Sequence, residues 1–216
     1  MIKIILSFLL ILQGSNLIAQ YGTYKTDGNI FREKKYMDIE GTPYYYKTWV
    51  KADLYDINGQ ILENVDVNYN GATGKFESIR DDYNFIELNN ALYNKIIVNQ
   101  GIEADVFINF LEYGDEAYYR LIYKGDDFSY FSKFWARIKK EEIPNYGQSS
   151  TKERFSNSEE YYFLKEDKLA KVKRNSKDIV KYLNNKSINN YIKSNKLNIK
   201  NDKDLQKLFR YYDSLK

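Results

Sequence analysis

The sequence predicts a mainly β fold, an antiparallel sandwich, barrel or meander, carrying a C-terminal α-helical appendage. Three observations predict it. Apolar residues alternate with period two in short runs between Val50 and Val172. Turn residues interrupt those runs at close intervals, as in all-β chains. From Ser176 onward the apolar period lengthens to about 3.6 residues, the spacing of one helix face.

The elements follow in order. Residues 21–41 lack periodicity and read as an extended leading segment, closed by turn chemistry at Gly41-Thr42-Pro43. Val50, Ala52 and Leu54 alternate with Lys51 and Asp53, as a half-buried strand requires. Asn58-Gly59 then offers positive φ angles for a tight turn, and Val65, Val67 and Tyr69 alternate on the return. Gly71 and Gly74 mark a further turn, and strands are expected near Phe85–Leu88 and Asn94–Val98. Val106, Ile108 and Phe110 oppose Phe107 and Leu111, the pattern of a strand covered on both faces. Tyr119, Leu121 and Tyr123 continue it; Phe128, Tyr130, Phe134 and Ile138 then form a long face opposite Trp135. Residues 141–158, with Pro144 and Gly147, read as an exposed polar loop. A last hairpin is expected from Tyr161–Leu164 through Glu166-Asp167 to Leu169–Val172.

Beyond Ser176, which is placed to cap a helix, Ile179, Val180 and Leu183 share one side. Ile188, Tyr191 and Ile192 mark a second helix. Asn201 opens a third, with Asp204 three positions later in an acidic variant of a capping box. Leu205, Leu208, Phe209, Tyr212 and Leu215 form its stripe. Three such apolar faces need cover, so the tail is expected to dock on the sheet.

The N-terminus predicts export. Lys3 precedes the apolar run Ile4–Leu12, and small Ala19 ends the stretch. That run is too short to span a bilayer, which takes about 20 residues, and fits the apolar core of a signal peptide. The expected organisation is a signal peptide at 1–19, a β-rich body at 20–174 and a helical tail at 175–216. The expected address is extracytoplasmic: periplasm, cell surface or medium. No transmembrane segment is expected after cleavage. An outer-membrane barrel is not expected, because the chain closes on a polar-faced helix.

Composition excludes much chemistry. The chain holds no Cys and no His. Disulfides, lipid attachment through Cys, and Ser-His-Asp or Cys-His nucleophiles are therefore ruled out, and zinc, copper and haem lose their usual ligands. No catalytic residue, cofactor or metal site is expected. Charge is divided unevenly: residues 165–216 hold fifteen basic and six acidic residues, whereas residues 20–164 hold seventeen basic and twenty-four acidic. An acidic body precedes a basic tail.

Local motifs read as turns. Gly71-Ala72-Thr73-Gly74-Lys75 lacks the first Gly of a phosphate loop, where Tyr69 stands, and the hydroxyl after Lys, where Phe76 stands. Asp56-Ile57-Asn58-Gly59 fails as a calcium loop, because Leu54 and Val65 occupy its terminal ligand positions. Asp81-Asp82, Asp115-Glu116 and Asp126-Asp127 read as solvated loop pairs. The 22 Tyr, 12 Phe and 2 Trp residues are the better lead, because amphipathic rings mark recognition surfaces. Trp49, Tyr55, Trp135 and Tyr162 are the candidate ligand-facing rings.

Tyr191-Ile192-Lys193-Ser194-Asn195-Lys196-Leu197, followed by Asp204-Leu205, Leu208 and Tyr211-Tyr212, resembles the C-terminal helical tail of small exported proteins of Bacteroidetes. Ala19-Gln20 is similar to their leader junction, and Gly41-Thr42-Pro43-Tyr44 with Trp49 resembles their first strand. The resemblance implies compartment and architecture, and brings no activity to any residue. The expected function is a non-enzymatic binding or assembly role in the envelope or medium, toward a protein or glycan and not nucleic acid. The alternatives are a carboxylate-based hydrolase of glycans and an adaptor whose basic tail makes peripheral contact with anionic surfaces.

Overall fold

A computed structural model describes residues 36, 38–81, 84–100, 103–143 and 150–215; the expected leader at 1–19 lies outside them. Ten strands form one antiparallel sheet: β1 (Val50–Asp56), β2 (Ile61–Asn70), β3 (Lys75–Asp81), β4 (Asn84–Glu87), β5 (Tyr93–Gln100), β6 (Glu103–Phe110), β7 (Asp115–Lys124), β8 (Ser129–Ile143), β9 (Ser150–Lys165) and β10 (Lys168–Val172). Their spatial order is β10-β9-β8-β7-β6-β5-β1-β2-β3-β4. Helices α1 (Ser176–Leu183), α2 (Ser187–Ser194) and α3 (Asp202–Asp213) follow. The β-rich body with a helical appendage is as the periodicity predicts. No described helix is long and apolar enough to cross a membrane.

Every connection but one joins neighbouring strands. The exception leads from β4 at the sheet edge to β5 beside β1. Four inter-strand spacings measure about 19 Å, and six fully extended Cα steps cover at most about 22 Å. The link is not extended: Leu92 and Tyr93 both donate their amides to the Asn89 carbonyl, at 3.0 Å each. A flat sheet is therefore impossible, and the sheet rolls. Across the roll, Gly71 in the β2–β3 turn accepts from the Ala136 amide of β8 at 2.9 Å. The Tyr69 hydroxyl reaches the Tyr118 carbonyl of β7 at 3.3 Å.

The concave face carries two apolar cores. Under the β1–β3 half lie Leu54, Val67, Tyr69, Phe76, Ile96 and Phe107, all essentially without solvent contact. Tyr45 and Tyr46 lie in residues 44–49, the leading segment into β1, and cover this core, each edge-on to Phe107. Above β7–β10 the helical tail covers Tyr130 and Phe163 with Ile179, Ile188, Leu205, Leu208 and Phe209. Fully burying one such side chain contributes about 1.5–3 kcal/mol, which is why the tail docks. A smaller convex cluster gathers Phe110, Ala117, Tyr119 and Phe131.

Several expectations need correction. Residues 150–158 are strand rather than loop, and β8 runs through Ile143. Lys140 pairs with Glu153 at 3.0 Å and Arg154 with Glu141 at 2.9 Å, so cross-strand charge extends a hairpin that has little apolar alternation to reveal it. The register slips between Leu121 and Tyr123; Leu121 stays with the convex cluster while Tyr123 turns to the tail. Asn175, not Ser176, caps α1, accepting from the Asp178 amide at 2.9 Å. Asn201 does cap α3, but Asp204 turns its carboxylate to the Asn198 amide at 3.0 Å, leaving the box half built. At the Asn58-Gly59 turn Gly59 but not Asn58 takes positive φ; the Asp56 carboxylate fastens that turn through the amides of Asn58 and Gln60. At Glu166-Asp167 both residues take positive φ, so the two-residue turn falls where expected. Leu215 lies exposed at the end of its stripe.

Candidate functional site

The concave face has two covers, Tyr45 and Tyr46 over one core and the helical tail over the other. Between them a row of side chains crosses the sheet: Phe107 of β6 pairs with Arg120 of β7, Arg120 with Ser132 of β8, and Ser132 with Tyr161 of β9. Cross-strand partners share a face, so Arg120 belongs to the side of Tyr118 and stands between the two cores. A shallow cleft of about 390 Å³ opens above it, bounded by Tyr45 from the leading segment and Lys200–Lys203 from the tail.

Charge organises this cleft. Arg120 Nη2 donates to Asp202 Oδ2 at 2.8 Å, and Nη1 reaches Asp105 Oδ1 at 3.4 Å. Asp202 occupies the first turn of α3, and its Oδ1 accepts from Arg174 Nη2. Arg174 lies between β10 and α1; its Nε donates to the Ile199 carbonyl at 2.8 Å. Its Nη1 donates to the Tyr161 hydroxyl at 3.3 Å, and that hydroxyl donates to Glu159 at 2.6 Å. Arg174 also lies over the Tyr161 ring, 5.0 Å from its centroid. At the rim, Lys203 and Glu103 pair at 2.8 Å.

Burial pushes the Asp202 carboxyl up, but Arg120 and Arg174 outweigh it and hold the pKa below the ordinary aspartate value. Both guanidiniums are shifted up against their own burial, Arg120 by Tyr45 and Asp202 and Arg174 by Tyr161 and Asp202. Burial raises the Tyr45 phenol to about 12. Tyr46 is raised further by burial and by Asp105, which accepts its hydroxyl at 2.8 Å.

The four predicted rings lie elsewhere and do not converge. Trp49 precedes β1 and stacks on Phe85 of β4, with centroids 5.0 Å apart. Tyr55, near the end of β1, lies beneath Lys95 Nζ at 3.7 Å and lines a separate open groove of about 610 Å³ with Asn90 and Asn109. Trp135 stands on the convex side of β8, covered by Arg137 at 4.4 Å. Tyr162, on the convex side of β9, donates to Glu160 at 2.7 Å and meets Tyr119 edge-on. All four are half-buried.

Arg120, Arg174 and Asp202 are not among the residues that periodicity and motifs single out. A signal for the first was present: Arg120 is the single charge inside Ala117-Tyr118-Tyr119-Arg120-Leu121-Ile122-Tyr123, and a buried charge in an apolar strand needs a partner. No protein family model, curated protein or solved structure matches the chain.

Proposed function

We propose that this chain is an exported, non-enzymatic binding protein whose ligand seats in the cleft between the leading segment and the helical tail. The observation that carries the reading is the commitment of the cleft's charges to one another in fixed protonation states. Arg120 and Arg174 stay cationic and Asp202 anionic, while the phenols of Tyr45 and Tyr46 move away from neutrality. Proton transfer needs a group poised near the working pH, and a glycosidase needs one carboxyl raised as its acid; Asp202 is shifted the opposite way. Fixed donors and acceptors around a cleft suit recognition. Export rests on the leader Lys3–Ala19.

The test has two arms. Secreted material sequenced from its N-terminus should begin at Gln20. That material, screened on a glycan and peptide array, should retain a ligand that Lys203→Ala weakens and should release no product from it. Turnover of the retained ligand would replace binding with hydrolysis.

A second reading has its own support: Lys177, Lys181, Lys186, Lys193, Lys196 and Lys200 all face solvent. An anionic surface would meet these cations, and sedimentation with phosphatidylglycerol vesicles at low salt measures it. No binding there removes the adaptor reading.

A further inference from the structure

We infer, resting on the binding role proposed above, that the cleft is a subsite for the carboxylate of an acidic sugar, a uronic-acid unit of a glycan. The starting point is the unequal use of Arg120. Nη1 and Nη2 have acceptors, but Nε is buried with no partner among the described residues. Nε–H and Nη2–H lie on one edge of a guanidinium, the edge that grips a carboxylate with two parallel bonds. Asp202 fills only the Nη2 prong, because its second oxygen is held by Arg174. The fork has one vacant prong.

A second unpartnered group lies in the neighbouring core beneath the tail. The Tyr130 hydroxyl is buried without a partner among the described residues, on the same face of β8 as Ser132, the cross-strand neighbour of Arg120. Its surroundings include Arg174, Tyr161, Asp202 and Glu159. A buried donor left without an acceptor is costly, and at Arg120 Nε an acceptor-rich group entering the cleft relieves it.

The rim selects a sugar over a peptide. No aliphatic side chain lines the cleft, so a peptide's apolar side chains find no seat. Lys200, Asn201, Lys203, Glu103 and Glu159 instead offer both donors and acceptors to hydroxyl groups, and Tyr45 presents a ring edge beside them. Nε has no solvent contact, so the rim must part for the carboxylate to arrive. Lys203 and Glu103 hold it with a pair whose side chains are 67% and 68% exposed, and a pair so exposed resists little.

The experiment is titration of ¹⁵N-labelled residues 20–216 with glucuronate at low salt, following the Arg120 Nε–H resonance. Glucuronate should move it saturably; glucose at equal concentration should not. Lys203→Ala, on the exposed rim, should weaken glucuronate while leaving the melting temperature unchanged. Arg120→Lys keeps the charge and removes the fork, and should weaken glucuronate by about tenfold or more, the loss of one charge-assisted bond. An unmoved resonance at saturating glucuronate overturns the subsite, as does a stronger response to an N-acetyl dipeptide acid. If glucose or another neutral sugar binds the cleft while glucuronate does not, the carboxylate assignment fails and the binding role stands.

Discussion

Arg120 of β7 and Asp202 of α3 meet at 2.8 Å although 82 residues separate them in the chain. Through Asp202 the contact extends to Arg174, so one carboxylate ties the sheet, the β10–α1 junction and the third helix together. Removing a partner from such a pair leaves guanidinium charge behind with little solvent, as the side chains of Arg120 and Arg174 are only 13% and 9% exposed. Full burial would put the loss at about 3–5 kcal/mol; Asp202 itself is partly solvated, so Asp202→Ala should cost about 2–3 kcal/mol. At this chain length the melting temperature falls by about 5–10 °C, read by calorimetry. A loss below about 0.5 kcal/mol would mean that the pair is solvated in solution.

The same carboxylate sets part of the acid limb. Its folded pKa lies below the ordinary value, so the unfolded chain binds its proton first as pH falls. The stability Asp202 contributes is complete above the unfolded value of about 4 and disappears as pH drops through the folded one. Asp202→Asn should therefore flatten the urea-midpoint profile in that acid range. At the other end the sign reverses: burial raises the Tyr45 phenol to about 12, so its contribution is lost as pH climbs from about 10 toward 12. With no His in the chain, the midpoint should stay level around neutrality.

Gly71 closes the roll, and its substitution tests that closure. Its φ lies in the ordinary region, so the demand is for space. A Cβ there would stand 2.5 Å from the Phe134 ring and 2.9 Å from the Ala136 amide, which donates to the Gly71 carbonyl. Gly71→Ala should force the β2–β3 turn away from β8 and cost about 1–3 kcal/mol. Faster hydrogen exchange at the Ala136 amide should accompany the loss. Unchanged protection at Ala136 would mean the turn does not seal against β8.

How much of this was legible follows from which forces are local. The hairpin from Val50 to Tyr69 and the stripe Leu205–Phe209 are written in side-chain period, because burial of one face dictates it. The strand from Ser150 to Ser158 was hidden because it is held by charge pairs and backbone bonds with little apolar alternation. The cleft was hidden for a different reason. Arg120, Arg174 and Asp202 lie far apart in sequence, and only the roll of the sheet and the docking of the tail bring them within a few ångströms. Amphipathic chemistry alone marks the candidate rings, and Tyr161 rather than its neighbour Tyr162 lies on the concave side and meets Arg174 because adjacent strand residues point to opposite sides.

The deepest dependence of sheet on tail lies in the shared core. Phe209 is fully buried and touches Tyr123, Phe128, Tyr130 and Phe163 with ring centroids 5.1 to 5.7 Å apart. Phe209→Ala removes one side of that packing, and the expected cost is about 3–5 kcal/mol. Deleting the tail after Lys173 goes further. It exposes Tyr130 and Phe163 and leaves Arg120 without Asp202. The truncated body should bind a hydrophobic dye and associate in solution, because exposed apolar patches of that kind drive self-association. Light scattering reads the outcome. A monomeric, dye-silent body would mean that the tail is an independent appendage and that the concave face is stable without its cover.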